Sequence, residues 1–154
     1  MHKNPKVLFL SKGSASRSQM AEGLLRALGG DQFIVSSAGC EHAGVSPQAI
    51  EVMREVGIDI SAQVPREVIS VFGETFQCVV SLCDPPRERY PVYPFTRKLL
   101  RWSVPDPEAG SGEPEERIEA FRQVREELQH RVEKFIASME PEGSAMERAR
   151  AATA

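Results

Sequence analysis

Residues 7–18 of this 154-residue chain are Val7-Leu8-Phe9-Leu10-Ser11-Lys12-Gly13-Ser14-Ala15-Ser16-Arg17-Ser18. The first four are apolar and stop at a run of small residues, which is typical of a strand buried on both faces of a parallel sheet. Beyond them, apolar residues recur at helical spacing at Met20, Leu24, Leu25 and Leu28. Gly29-Gly30 would end that helix with a left-handed cap. The stretch therefore predicts a strand, a loop and a helix, the unit from which α/β domains are built.

The same alternation continues along the chain. Strands are predicted at Phe33-Ile34-Val35 and at Cys78–Leu82. Ser46-Pro47 has the pattern of an N-cap followed by a first-turn proline, so we expect a helix there that carries Ile50, Met53 and Val56 on one face and ends at Gly57. A weaker helix is expected from Pro65 to Phe72. These elements again favour a parallel sheet with crossover helices.

The last third of the chain divides into three parts. Prolines concentrate between residues 84 and 112, so we expect regular structure to be broken throughout that stretch. A long helix is predicted from Pro114, with one apolar stripe formed by Ile118, Phe121, Val124, Leu128, Val132, Phe135 and Met139. Residues 140–154 have too little apolar surface to dock firmly and are expected to form a mobile tail. Residues 1–139 would then form a single domain.

Composition excludes several classes of protein. The formal charge is -3, from 19 Lys and Arg against 22 Asp and Glu, so no strongly basic surface for nucleic acid is expected. No apolar run approaches the ~20 residues that span a bilayer, and no secretion signal is visible. Cys40, Cys78 and Cys83 fit neither a disulfide framework nor a paired zinc motif. We therefore expect reduced thiols, a cytoplasmic location and no metal or organic cofactor.

The loop from Ser11 to Ser18 has the properties of an anion site. Small residues allow successive backbone N–H groups to turn inward, and the following helix adds the positive end of its dipole. Arg17 offers a planar fork for two oxygens of a tetrahedral oxyanion such as phosphate, arsenate or sulfate. The alternative is an ordinary strand-to-helix turn in which Ser16 and Gln19 form a capping box.

Further motifs follow the loop in a specific order: Arg17-Ser18-Gln19-Met20-Ala21-Glu22-Gly23, Ser37-Ala38-Gly39, Gly57-Ile58-Asp59-Ile60-Ser61, Val79-Val80-Ser81-Leu82-Cys83-Asp84 and Trp102-Ser103-Val104-Pro105-Asp106-Pro107. With the loop, they resemble the low-molecular-weight protein tyrosine phosphatase superfamily, and within it the thioredoxin-coupled arsenate reductase branch. The resemblance spans Lys6 to Met139. It implies a three-layer α/β/α fold with a central parallel sheet, and an oxyanion held by Lys12, Gly13, Ser14, Ala15, Ser16, Arg17 and Ser18.

The resemblance also assigns roles to single residues. Asp106 matches the aspartic acid that protonates the leaving group, and Arg17 and Ser18 match the end of the phosphate loop. Cys83 matches the second cysteine of the reductase relay, with thioredoxin as the partner that reduces the resulting disulfide. The position of the third cysteine holds Tyr90, and the nucleophile position holds Ser11 instead of cysteine. Ser14 replaces an asparagine that is usual in the loop.

The serine at position 11 is the residue on which the choice of function depends most. A thiol of pKa about 8.5 can be lowered to roughly 3.5–7.5 beside a helix N-terminus and positive charge, whereas an alcohol under the same influence stays protonated. We therefore expect an arsenate reductase-like protein that binds arsenate or phosphate and turns over poorly. The alternatives are a low-molecular-weight phosphatase, native or a cysteine-to-serine trap form, and a non-catalytic module that binds phosphate or phosphotyrosine.

Overall fold

The computed structural model describes residues 4–13, 16–41, 44–83, 96–109 and 112–139. Within these ranges there are four strands: β1 (Lys6–Gly13), β2 (Ile34–Glu41), β3 (Phe76–Ser81) and β4 (Thr96–Arg101). Four α-helices accompany them: α1 (Arg17–Gly29), α2 (Pro47–Arg54), α3 (Val68–Val71) and α4 (Pro114–Met139). Two short 3-10 turns cover Gly30–Gln32 and Pro107–Ala109. The expected tail, 140–154, lies outside the described residues.

The four strands form one parallel sheet in the order β2-β1-β3-β4. Leu10 of β1 is in register with Ala38 of β2 and with Ser81 of β3, so the carboxyl ends of these strands meet at one edge. Helices α1, α2 and α4 supply buried residues to one face, and α3 supplies them to the other. The expected α/β/α architecture with a central parallel sheet is confirmed.

The buried core explains why the apolar runs form strands. Val7 to Leu10 are fully buried, with alternate residues belonging to the clusters on the two faces. On the larger face, the Phe9 ring lies 5.9 Å from Trp102, which in turn lies 6.3 Å from Phe135 of α4. Burying side chains of this size contributes roughly 1.5–3 kcal/mol each. The apolar stripe of α4 thereby attaches the last helix to the sheet.

The predicted start of α2 is confirmed. The Ser46 hydroxyl accepts a hydrogen bond from the Ala49 amide, and Pro47 occupies the first helical position. The helix itself ends at Arg54, earlier than expected, and a hydrogen-bonded turn continues to Gly57. Gly57 has a φ of 78°, a left-handed conformation that side chains with a Cβ rarely adopt.

One prediction about secondary structure was wrong. Regular structure was expected to be broken from 84 to 112, yet β4 (Thr96–Arg101) lies within that range and pairs with β3. Its sequence has three basic residues and lacks the continuous apolar run of β1, because β4 pairs with β3 alone in the described sheet and four of its six residues are exposed. Residues 84–95 lie outside the described part.

Three further details differ from expectation. Leu28 and Val56 are 43% and 41% exposed, so the buried faces of their helices are narrower than the apolar spacing indicated. Both lie in the last turn of a helix or just beyond it, where the chain leaves the core. The third helix covers Val68–Val71 alone rather than Pro65 to Phe72. Within the described ranges, no helix is long and apolar enough to cross a bilayer.

Candidate functional site

The candidate site lies where β1, β3 and β4 end, the edge at which open parallel sheets usually bind ligands. Ser11 is the sixth residue of β1 and is paired with Gly39 of β2. Helix α1 begins six residues later, at Arg17, so its N-terminus faces the same edge. The loop between them includes Ser14 and Ala15, which lie outside the described residues.

Two buried hydroxyls form the base of the site. Ser11 and Ser18 are both fully buried, and their Oγ atoms lie 3.0 Å apart. The Ser11 hydroxyl also donates to the carbonyl oxygen of Gly13. Within the described part of the chain, no histidine or carboxylate is hydrogen-bonded to Ser11. An alcohol must give its proton to a general base when it attacks an electrophile. In that part of the chain, no such base is placed to receive the Ser11 proton.

Arg17 is the best-defined charged group of the site. Its side chain is 3% exposed, and its Nη1 donates to the carbonyl oxygens of Leu82 at 2.9 Å and Val104 at 3.0 Å. These two carbonyls follow β3 and β4, so strand ends far apart in sequence fix the guanidinium. Hydrogen bonds of this kind fix the conformation of a buried arginine, so that its guanidinium is already oriented when an anion binds.

Asp106 stands beside that guanidinium. Its Oδ2 lies 3.9 Å from Nη2 of Arg17, and its side chain is 34% exposed. Its Oδ1 accepts from the amide of Glu108, the second residue of the short 3-10 turn Pro107–Ala109. Sequence separates Arg17 and Asp106 by 89 positions, yet the fold brings them together at the carboxyl edge of the sheet.

Cys83 lies just past the end of β3 and is fully buried. Its neighbour Leu82 donates its amide to Leu10 of β1 at 2.8 Å, and the Leu82 carbonyl accepts from Arg17. Cys83 therefore lies on the same edge of the sheet as Ser11. Tyr90 lies outside the described residues, as does the side chain of Cys40.

Three loop residues are described around the two hydroxyls. Lys12 is exposed and Gly13 is half-buried, whereas Ser16 is buried at the N-cap of α1. Ser16 makes no side-chain capping bond, so the capping box considered for Ser16 and Gln19 does not form. The Gln19 amide instead donates to the hydroxyl of Ser37 on β2.

Behind the loop lies a buried polar network that the sequence analysis missed. The Ser37 hydroxyl donates to Glu22 at 2.7 Å, and Gln63 donates to both the side chain and the backbone carbonyl of Gln19. Burial raises the pKa of Glu22 above its ordinary value, although Ser37 and Arg26 lower it in part. The available signal was the presence of polar residues at 19 and 22 among the buried apolar residues Met20, Ala21, Leu24 and Leu25 of the same helix.

Cys78 is a core residue. It is 1% exposed within β3, and burial raises the pKa of its thiol to about 11. A thiol in this environment is protonated at neutral pH and is a poor nucleophile. Across the described residues, no three His, Cys, Asp or Glu side chains are grouped so that they could hold a metal ion.

Comparisons with known proteins agree with this geometry. Residues 6–145 match the family described as low molecular weight phosphotyrosine protein phosphatase. An arsenate reductase of Halalkalibacterium halodurans is 38% identical over 133 residues, which are 86% of this chain and 96% of that protein.

Solved structures give the same result. An arsenate reductase in the phosphate binding state superposes with a TM-score of 0.75 at 36% identity, covering 88% of this chain and 99% of the other. A thioredoxin-dependent arsenate reductase of Corynebacterium glutamicum superposes with a TM-score of 0.58 at 28% identity, covering 84% of this chain and 62% of the other.

Proposed function

This chain belongs to the low molecular weight phosphotyrosine protein phosphatase family and resembles its arsenate reductases, and from that premise we propose that it binds a tetrahedral oxyanion, arsenate or phosphate, in the loop from Ser11 to Ser18. The ligand would lie between the backbone amides of the loop, at the N-terminus of α1, and the guanidinium of Arg17. The backbone of Lys12, Gly13, Ser14, Ala15 and Ser16 would supply amide donors. The solved relative in a phosphate binding state supports the choice of ligand.

The position of Arg17 is the observation that carries this proposal. A guanidinium that is 3% exposed must be compensated by hydrogen bonds or by an anion, since burying a charge without partners is costly. The Leu82 and Val104 carbonyls accept hydrogen bonds from it, and the carboxylate of Asp106 lies 3.9 Å away. An oxyanion at the N-terminus of α1 would interact with the same cation and with the helix dipole.

We further propose that turnover is impaired because position 11 holds an alcohol. The positive potential that would make a cysteine there a thiolate leaves serine protonated. The Ser11 proton is directed at the Gly13 carbonyl, and within the described residues no base is hydrogen-bonded to the hydroxyl. The oxyanion would therefore be bound without forming a covalent adduct.

Arsenate reduction by a thiol relay requires two electrons from a pair of sulfurs. Ser11 cannot form a disulfide with Cys83, so this pair cannot complete the reaction. A thioredoxin partner, which the resemblance implies and which the Corynebacterium glutamicum relative's name includes, would have no Ser11–Cys83 disulfide to reduce. We therefore expect arsenate to be bound and released unchanged.

Asp106 supports a second candidate function, the binding of phosphate monoesters. The protein would then be either a phosphatase or a phosphotyrosine-binding module. A carboxyl group beside the anion site can protonate the leaving oxygen of an ester. Inorganic arsenate has no ester group that needs such a proton donor. The 3.9 Å approach of Asp106 to Arg17 is the observation that keeps this candidate open.

Titration calorimetry with phosphate and with arsenate tests the proposal. We expect saturable binding of one ion per chain, and at least about ten-fold weaker binding for Arg17→Lys, since lysine keeps the charge but loses the planar fork. Arg54→Lys, at an exposed position of α2, is the matched control and should leave the affinity unchanged. Absence of saturable binding by the folded, unsubstituted protein in the millimolar range would overturn the proposal.

A further inference from the structure

A concave surface lies between β4 and the second half of α4. It is separate from the loop from Ser11 to Ser18, which we call the oxyanion loop. It encloses about 530 Å³ and contains no residue of the loop from Ser11 to Ser18. Small-molecule sites in proteins typically enclose roughly 300–1,000 Å³. We call it the β4–α4 groove. Lys98, Leu100 and Trp102 line its sheet side, and residues 127–138 of α4 line the other.

The floor of the groove is aromatic. Trp102 and Phe135 are 8% and 4% exposed, and their rings meet edge to face with centroids 6.3 Å apart. The Arg131 guanidinium lies 6.0 Å from the centroid of the Trp102 ring, which directs a cation over the indole face. Leu100 continues the apolar surface along β4. The floor can therefore contact a flat or aliphatic group.

The rim of the groove is positively charged although the whole chain carries a net charge of -3. The groove is lined by three basic residues, Lys98, Arg131 and Lys134, and by one acidic residue, Glu127. The Glu127 carboxylate is paired with Arg131 at 3.2 Å. Within the described part of the chain, no carboxylate lies within ion-pairing distance of Lys98 or Lys134. Both lysines line the groove, Lys98 from β4 and Lys134 from α4, and together they can attract a negatively charged group.

We propose that the β4–α4 groove is a binding site for a small organic anion with an apolar body, such as an aromatic or aliphatic carboxylate, sulfonate or phosphate ester. The apolar body would lie on Trp102 and Phe135, and the charged group would lie between Lys98 and Lys134. An inorganic oxyanion lacks the apolar body and would not use the floor. The groove is therefore distinct in chemistry from the oxyanion loop, and its occupancy does not depend on Ser11 or Arg17.

Fluorescence titration with 8-anilinonaphthalene-1-sulfonate, an aromatic anion, tests this site directly. Trp102 is the only tryptophan in the sequence, so quenching of its emission reports a probe bound near it, and the variants described next assign the probe to the groove. We expect saturable quenching by this probe. Its uncharged analogue, N-phenyl-1-naphthylamine, should bind at least about five-fold more weakly because it lacks the charged group that the lysines attract.

Charge-reversal variants separate the groove from other surfaces. Lys98→Glu and Lys134→Glu should each weaken binding of the sulfonate about ten-fold. Arg97→Glu is the matched control, because it makes the same change of net charge on the neighbouring residue of β4, which points to the opposite face of the sheet. It should change the affinity less than two-fold.

Three results would overturn the proposal. They are equal losses of affinity in Lys98→Glu and Arg97→Glu, equal binding of the charged and uncharged probes, and the absence of Trp102 quenching in the unsubstituted protein. All substituted side chains are exposed, and circular dichroism verifies that each variant is folded. Millimolar phosphate should not displace the sulfonate, which separates this test from the test of the oxyanion loop.

Discussion

At the scale of single residues, position 11 determines what the candidate site can do. The surrounding groups that would stabilise an anion are in place: the hydroxyl of Ser18 at 3.0 Å, the N-terminus of α1 and the buried Arg17. These groups can lower the pKa of a thiol enough to ionise it at neutral pH. An alcohol begins too far from neutrality for the same effect. In our proposal, one atom, oxygen for sulfur, therefore separates binding of the anion from covalent chemistry.

Glu22 gives a prediction at the residue scale. Its pKa is raised in the folded protein, so the folded state holds the proton more tightly than the unfolded state, and stability falls as pH rises through the folded pKa. Glu22→Gln cannot ionise and keeps an acceptor for the Ser37 hydroxyl. Urea unfolding at a series of pH values should show this variant gaining stability relative to the unsubstituted protein as pH rises above about 4.5.

Glu119→Gln, on the exposed surface of α4, serves as the control for the Glu22 prediction. It removes a carboxylate of the same kind without touching the network around Ser37. If Glu22→Gln lost stability relative to the unsubstituted protein as pH rose, the ionised carboxylate would be the favoured form, and our account of its burial would be wrong.

The sequence analysis named side chains of the candidate site but not the backbone groups that support them. Arg17 and Asp106 were identified from the loop pattern and the resemblance, and the fold places them 3.9 Å apart. The carbonyls of Leu82 and Val104, which hold the guanidinium, left no signal because every residue has a carbonyl group. Such backbone contacts depend on the residues at which the strands end. The pattern of side chains does not determine those residues.

At the scale of elements, α1 is held against the core by close packing at Gly23. A Cβ built there would lie 2.5 Å from Cγ2 of Ile60, a buried methyl that is branched directly from Cβ and has little freedom to move. Gly23→Ala gains about 1 kcal/mol of helix propensity but overpacks the contact by roughly 1–3 kcal/mol. We expect thermal unfolding to show a net loss of about 1 kcal/mol.

A double-mutant cycle tests the cause of that loss. Removing the methyl with Ile60→Ala opens space, so adding Gly23→Ala in that background should be neutral or stabilising. If alanine at position 23 cost the same in both backgrounds, the close approach of Ile60 would not be what requires glycine there.

The elements also show where periodicity succeeds and where it fails. β1 and α4 were predicted because a strand buried on both faces and a long amphipathic helix leave strong patterns. β4 was missed because it pairs with β3 alone in the described sheet and exposes Arg97, Lys98 and Leu99, so its sequence reads as a loop between prolines. Edge strands carry charge for a physical reason, since charge discourages pairing with other chains.

At the scale of the whole molecule, the two anion sites that we propose differ in chemistry and lie at different places on one fold. The oxyanion loop lies at the carboxyl edge of the sheet, and the β4–α4 groove lies at the side of β4 that faces α4. The first is formed by backbone amides, hydroxyls and a buried guanidinium. The second is formed by lysines above an aromatic floor. The net charge of -3 gives no hint of either, because local charge and not the total attracts a ligand.

The measurement that tests the central claim most directly is hydrolysis of an aryl phosphate by the unsubstituted protein and by Ser11→Cys, under reducing conditions at mildly acidic to neutral pH. In the variant, the thiolate would attack phosphorus, Asp106 would protonate the departing oxygen, and water would release phosphate. We predict turnover by Ser11→Cys and none by the serine form. Absence of turnover in both proteins, with phosphate binding intact, would contradict the claim that the oxygen of Ser11 alone silences the site.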